Sequence, residues 1–212
     1  MTRLRAAWRR WSVSPPLVRL TRARLTLQWW LAGKPLPSPN VVKERTVIGY
    51  QKRYRLRTFI ETGTYTGEMV HAMSGHVDRI VSIELAPALH AQAARRFAGQ
   101  RQICLLQGDS AARLPDVLDS LDRPALFWLD GHYMGGESGR GAQDTPVLAE
   151  MTALLAHRVR GHVVLIDDAR LFDGTCGYPR LDAFTTWVKE QRPGTSVRTD
   201  GDIIRCVFDA AD

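Results

Sequence analysis

Glu61-Thr62-Gly63-Thr64-Tyr65-Thr66-Gly67 closes a short apolar run, residues 58–61, and leads into a helix-compatible stretch over 66–73. A strand that ends in a glycine-bearing turn and opens a helix is the repeating unit of parallel α/β sheets. Glycines in that turn let backbone approach a ligand closely, and the helix start presents N–H groups to the ligand's polar end. A single turn of this kind does not fix a fold, so its surroundings decide.

Outward from it, apolar runs of strand length recur at 79–84, 102–107, 125–130 and 162–167. Helix-compatible stretches follow them at 87–97, 111–121, 146–157 and 181–190, and a helix over 41–54 precedes the first run. The end departs from this rhythm: residues 195–198 and 202–208 flank Thr199-Asp200-Gly201, a hairpin signal. The pattern predicts one α/β domain over 40–212. Its core is a Rossmann-like, doubly wound, mostly parallel seven-stranded sheet that ends in an antiparallel β-hairpin, preceded by a helical extension over 1–39.

Open parallel sheets bind ligands where strands exit at their carboxyl ends. The first exit supplies Glu61, Gly63, Thr64, Tyr65 and Gly67. The second supplies Glu84, seventeen residues past Gly67, near the offset at which an acid accepts hydrogen bonds from ribose hydroxyls. The third reads Gly108-Asp109-Ser110: Asp109 can accept from an adenine amino group and Ser110 can cap the following helix. Acids on three successive exits form a nucleoside site more readily than any one of them alone. The fourth exit reads Phe127-Trp128-Leu129-Asp130-Gly131-His132-Tyr133 and the fifth Val164-Leu165-Ile166-Asp167-Asp168-Ala169-Arg170. Asp130, Asp167 and Asp168 can hold an oxygen-preferring divalent cation such as Mg²⁺, which would lower the pKa of a substrate hydroxyl; the alternative is that they cap helices or order a ligand. His132 titrates near neutrality and is a candidate general base on the site's rim. The glycine-rich stretch 135–145 reads as a loop over the site. The other five histidines show no mutual ligand spacing and receive no role.

Composition bounds the partners. A chain of 212 residues, 44% hydrophobic and 24% charged, has room for one catalytic domain and is not a disordered chain. Residues 1–43 hold nine of the 29 basic residues and no acidic one. The remainder carries 20 basic against 22 acidic residues, so its body is not built for nucleic acid, which needs a concentrated basic face. Leu4, Ala7, Trp8 and Trp11 fall on one helical face among Arg3, Arg5, Arg9 and Arg10, and residues 17–31 repeat the mixture of Leu, Arg and Trp. Two readings stand for residues 1–31: peripheral contact with an anionic membrane at its inner face, or packing of the tryptophans on the catalytic domain or on a second subunit of a homodimer. Arg9-Arg10 is followed by Pro15, Pro16 and further arginines rather than an apolar run, which argues against an export signal and for a cytoplasmic protein. Cys104, Cys176 and Cys206 have no paired spacing and read as buried thiols in a reducing compartment.

Over residues 40–212 these motifs resemble the class I S-adenosylmethionine-dependent methyltransferases. The resemblance implies that Gly63 and its turn receive the methionine part of the cofactor, Glu84 its ribose and Asp109 its adenine. Asp130 with Asp167-Asp168 is similar to the metal-dependent O-methyltransferases of the catechol and macrocin types, where the corresponding acids hold Mg²⁺. A closer resemblance is to small bacterial proteins carrying Ile60-Glu61-Thr62-Gly63-Thr64, Trp128-Leu129-Asp130-Gly131-His132-Tyr133 and Ile166-Asp167-Asp168-Ala169-Arg170-Leu171-Phe172. Two departures matter: Tyr65 replaces the usual middle glycine, and Tyr133 stands where catechol-type enzymes place a lysine. Either His132 or the metal would then promote deprotonation. The implied activity is O-methylation of a small hydroxylated acceptor, a sugar or secondary-metabolite unit. An NAD-dependent oxidoreductase and a non-catalytic nucleoside-binding adaptor at a membrane surface are the alternatives.

Overall fold

A computed structural model describes residues 15–131 and 145–209. In chain order the elements are α1 (Pro15–Leu31), α2 (Asn40–Tyr54), β1 (Thr58–Thr62), α3 (Glu68–Met73), β2 (Arg79–Glu84), α4 (Pro87–Arg96), β3 (Ile103–Gln107), α5 (Ser110–Asp119), β4 (Leu126–Leu129), α6 (Val147–Ala156), β5 (Val163–Ile166), a 3-10 turn (Ala169–Leu171), α7 (Leu181–Gln191), β6 (Ser196–Asp200) and β7 (Ile203–Val207). They build one seven-stranded sheet in the order β3-β2-β1-β4-β5-β7-β6. Strands β1 to β5 pair in parallel, and β7 runs antiparallel to both β5 and β6.

Helices cover both faces, which is why the central strands read as unbroken apolar runs rather than alternating ones. Every residue of β4 and β5 is buried. On one face Ile60, Phe127, Leu129 and Val164 pack with Leu114 of α5, Met151 of α6 and Phe184 of α7. On the other, Phe59, Trp128 and Leu165 pack with Val47 of α2, Val70 of α3 and Phe97 beyond α4. The outer strands β3 and β6 are partly exposed.

Three sequence expectations need correction. The hairpin turn is Gly201-Asp202, because Asp200 remains in β6 opposite Ile203, and Gly201 takes the left-handed φ of +56°. Cys104 and Cys176 are exposed, and only Cys206 is buried, its thiol pushed up to about 12 by desolvation. Cys104 lies on the sheet's edge, a position that apolar character alone does not reveal. Finally, α3 starts at Glu68 rather than residue 66, since the turn extends through Gly67, whose φ is +78°.

The expected amphipathic helix of residues 3–11 falls outside the described residues. α1 rests on α2, where the Arg45 guanidinium donates to the Thr26 hydroxyl (3.2 Å). Leu20, Leu25, Leu27, Trp30 and Leu31 remain exposed. Among the described residues no helix is long and apolar enough to cross a membrane.

Candidate active site

Hydrogen bonds tie each strand exit to its neighbour and so bring the predicted site residues together. Gly63 N–H donates to Ile83 C=O (2.9 Å), Gly108 N–H to Glu84 C=O (2.9 Å), Asp130 N–H to Thr62 C=O (3.0 Å) and Asp167 N–H to Leu129 C=O (3.0 Å). These bonds carry the parallel ladder one residue beyond the strands. Side chains from five strands therefore open on one edge of the sheet.

The glycine turn is built for close backbone approach. A Cβ at Gly63, where φ is +90°, would lie 2.4 Å from the Asp130 carbonyl oxygen. At Gly67 it would lie 2.6 Å from the Phe97 ring. Tyr65, at the position of the usual middle glycine, keeps a left-handed φ of +46° with its ring exposed. Its N–H donates to Glu84 Oε2 (2.8 Å), while Ala86 N–H donates to Glu84 Oε1 (2.9 Å). One carboxylate thus fixes both the first turn and the second exit. The Thr64 hydroxyl points inward to Ser82 (2.6 Å), and Ser82 donates to Glu61 Oε2 (2.7 Å). Burial pushes the Glu61 carboxyl up to about 8, with Asp130 and Glu84 adding to the rise against the Ser82 bond. Asp109, rather than Ser110, caps α5: its Oδ1 accepts from Ala111 N–H (2.8 Å). Ser110 is the first residue of α5, buried, with its hydroxyl hydrogen-bonded to Glu150. Burial lifts the Glu150 carboxyl to about 7.

Asp130, Asp167 and Asp168 offer carboxylate oxygens that all lie within 4.8 Å of one another. Burial, then Asp130 and Asp168, push Asp167 up to about 7. Its Oδ1 is buried and has no hydrogen-bond partner among the described residues. Asp168 takes a left-handed φ of +55°. The Arg170 guanidinium bonds Asp168 Oδ1 (2.7 Å) and also Asp202 Oδ2, and Arg170 N–H donates to Asp202 Oδ1 (3.0 Å). An oxygen-only set with one unsatisfied buried atom fits a hard divalent cation.

Sequence reasoning missed Lys43. From the first turn of α2 its ammonium bonds Asp167 Oδ2 and stands 3.7 Å from Asp168 Oδ1. Burial draws its pKa down, but Asp167, Asp168 and Asp130 outweigh that and raise it. His157 and His162, given no role on their spacing, are paired in the fold. Ala125 N–H donates to His162 Nδ1 (3.0 Å), so the proton on Nε2 is shared with His157 Nδ1 (2.8 Å). His132, the predicted base, and the loop 135–145 up to Asp144 lie outside the described residues. Tyr178 stands near the cluster, its phenol pushed up to about 12 by burial.

The strand order separates this sheet from a plain dinucleotide fold, whose order is 3-2-1-4-5-6, because β7 is inserted antiparallel between β5 and β6. Similar sheets occur in the O-methyltransferase of Bacillus cereus in complex with SAH, at 15% identity over 89% of this chain and 90% of that one, with a TM-score of 0.61. The SAH-bound methyltransferase PaMTH1 of Podospora anserina matches at 15% identity over 91% and 94%, with a TM-score of 0.60. The chain has the class I methyltransferase fold. A further structure with this methyltransferase fold, the O-methyltransferase TomG of Streptomyces achromogenes in complex with SAM, matches at 17% identity over 88% of each chain (TM-score 0.56). No family model matches the sequence, and no curated protein matches it.

Proposed function

We propose that the protein is an S-adenosylmethionine-dependent methyltransferase that methylates a hydroxyl of a small acceptor, a sugar or secondary-metabolite unit, with assistance from Mg²⁺. The observation that carries this reading is the junction at Asp130. Its backbone carbonyl backs the glycine turn at Gly63, and its carboxylate belongs to the cation cluster with Asp167 and Asp168. A turn suited to the methyl donor and a cluster suited to the acceptor oxygen therefore abut.

In this reading Gly63, Thr64, Tyr65 and Gly67 give the donor its backbone cradle, Glu61 lies buried beneath it, Glu84 receives the ribose hydroxyls, and Asp109 with Ser110 borders the adenine. The donor supplies a methyl group on a positively charged sulfur. Asp130, Asp167 and Asp168 would hold a divalent cation that lowers the pKa of an acceptor hydroxyl. His132 is the candidate for receiving the hydroxyl proton. The chain's contribution is mainly alignment of oxygen and methyl and a preset electrostatic field. Incubation with radiolabelled S-adenosylmethionine and a panel of sugars, phenols, amines and thiols, with and without Mg²⁺, tests it. The expected result is label transfer to an acceptor oxygen, lost with EDTA and with Asp130→Asn. Absence of transfer to every hydroxylated acceptor, alongside transfer to an amine or a thiol, would contradict it.

A second reading concerns residues 1–31. We infer peripheral contact with anionic lipid from the absence of acidic residues there and from the exposed Leu20, Leu25, Leu27 and Trp30.

A further inference from the structure

Lys43 is far in sequence from the carboxylates it meets, and its side chain is only 13% exposed. Holding an ammonium in that place costs desolvation, which the three aspartates must offset. Among the described residues Asp130, Asp167, Asp168 and Asp202 face two cations, Lys43 and Arg170, and Arg170 bonds Asp202 and the same Asp168 Oδ1 that stands 3.7 Å from Lys43. The Lys43 ammonium bonds Asp167 within the trio that would ligate a divalent ion. Asp167 Oδ1 stays unpartnered even with Lys43 seated, so one ammonium does not use up the donor set.

We infer that Lys43 is a tethered counter-cation that holds the Asp130–Asp167–Asp168 cluster together without metal and competes with the divalent ion for it. This inference rests on the metal-assisted reading above. Lys43 on Asp167 Oδ2 leaves Oδ1 open, but an ammonium and a divalent ion this close repel one another in a partly desolvated site. The ion therefore binds best to the fraction of molecules in which the ammonium has left Asp167, and the apparent affinity falls accordingly. Such a device keeps three clustered acids from repelling one another open and makes metal occupancy sensitive to whatever else draws Lys43 away.

The test is Mn²⁺ binding to the full chain, with free Mn²⁺ followed by electron paramagnetic resonance, for the wild type, Lys43→Met and Lys43→Arg. Far-UV circular dichroism establishes that each is folded, and Lys43→Gln replaces Lys43→Met if that variant is not. The expected result is that removing the charge tightens Mn²⁺ binding by at least about tenfold, while Lys43→Arg stays near the wild type or weaker. Equal Mn²⁺ affinity in wild type and Lys43→Met, or weaker binding in Lys43→Met, would overturn the competition and leave the metal reading standing. No Mn²⁺ binding in any of the three would overturn both.

Discussion

At Gly63 the chain admits no side chain, because the left-handed backbone and the Asp130 carbonyl 2.4 Å from a Cβ position exclude one together. Gly63→Ala is expected to lose at least about 3 kcal/mol of stability, read by urea denaturation. Glu84 is different in kind: it accepts from the Tyr65 and Ala86 N–H groups, which Gln can accept in part, but Gln carries no charge for a ribose. Glu84→Gln should therefore stay folded and weaken donor binding by about 10- to 100-fold, measured calorimetrically. The His157–His162 pair sets a pH dependence. Desolvation, then the neighbouring His157 and Arg192, lower His162 from 6.5 to about 4. The folded state resists protonation that the unfolded chain accepts, so the stabilisation is complete above pH 6.5 and is lost as pH falls toward 4. The loss amounts to roughly 2 kcal/mol by pH 5. Glu61 and Glu150 act with the opposite sign, since their raised pKa values favour folding as pH falls. The His contribution must be read as a difference: unfolding free energy at pH 7.5 minus that at pH 5 should shrink in His162→Phe by that amount relative to the wild type. An unchanged difference would show that the pair does not titrate as described.

At the scale of elements, β4 is fully buried and carries Trp128 at 1% exposure on the face covered by α2 and α3. Trp128→Ala is expected to cost about 3–5 kcal/mol, visible as a large fall in Tm. Local periodicity made such elements legible: the strand ends β2 and the starts of α4 and α7 coincide with the apolar runs and their flanking prolines and polar residues. The order of exits followed from the βα alternation, and with it the positions of Glu61, Glu84, Asp109, Asp130 and Asp167. What was not legible is what the fold brings together across distance. Lys43 meets Asp167 124 positions away and reads locally as the last residue of a basic run. His157 and His162 lie on either side of a loop end with no spacing that announces a pair. Asp202 looked like the first residue of a strand. Its carboxylate instead reaches inward to Arg170, which places it in the turn and braces Asp168.

For the whole molecule, α1 of the extension packs on α2 and Ser38 is buried beside the β6–β7 turn, while most of the described surface of α1 is exposed. Deleting residues 1–31 is expected to leave donor binding within about twofold. It should also remove co-sedimentation with vesicles containing phosphatidylglycerol. Retained co-sedimentation would relocate the lipid contact to the body of the protein. In that body one sheet edge gathers the glycine turn at Gly63, Glu84 and the Asp130–Asp167–Asp168 cluster, the places proposed for donor, ribose and cation. Isothermal titration of the protein with S-adenosylmethionine and, separately, with NAD tests this assignment most directly, with Glu84→Gln as the control. Binding of S-adenosylmethionine at about micromolar Kd, weakened in the variant and not matched by NAD, is the predicted result. Binding of NAD alone, or of neither ligand, would contradict the account.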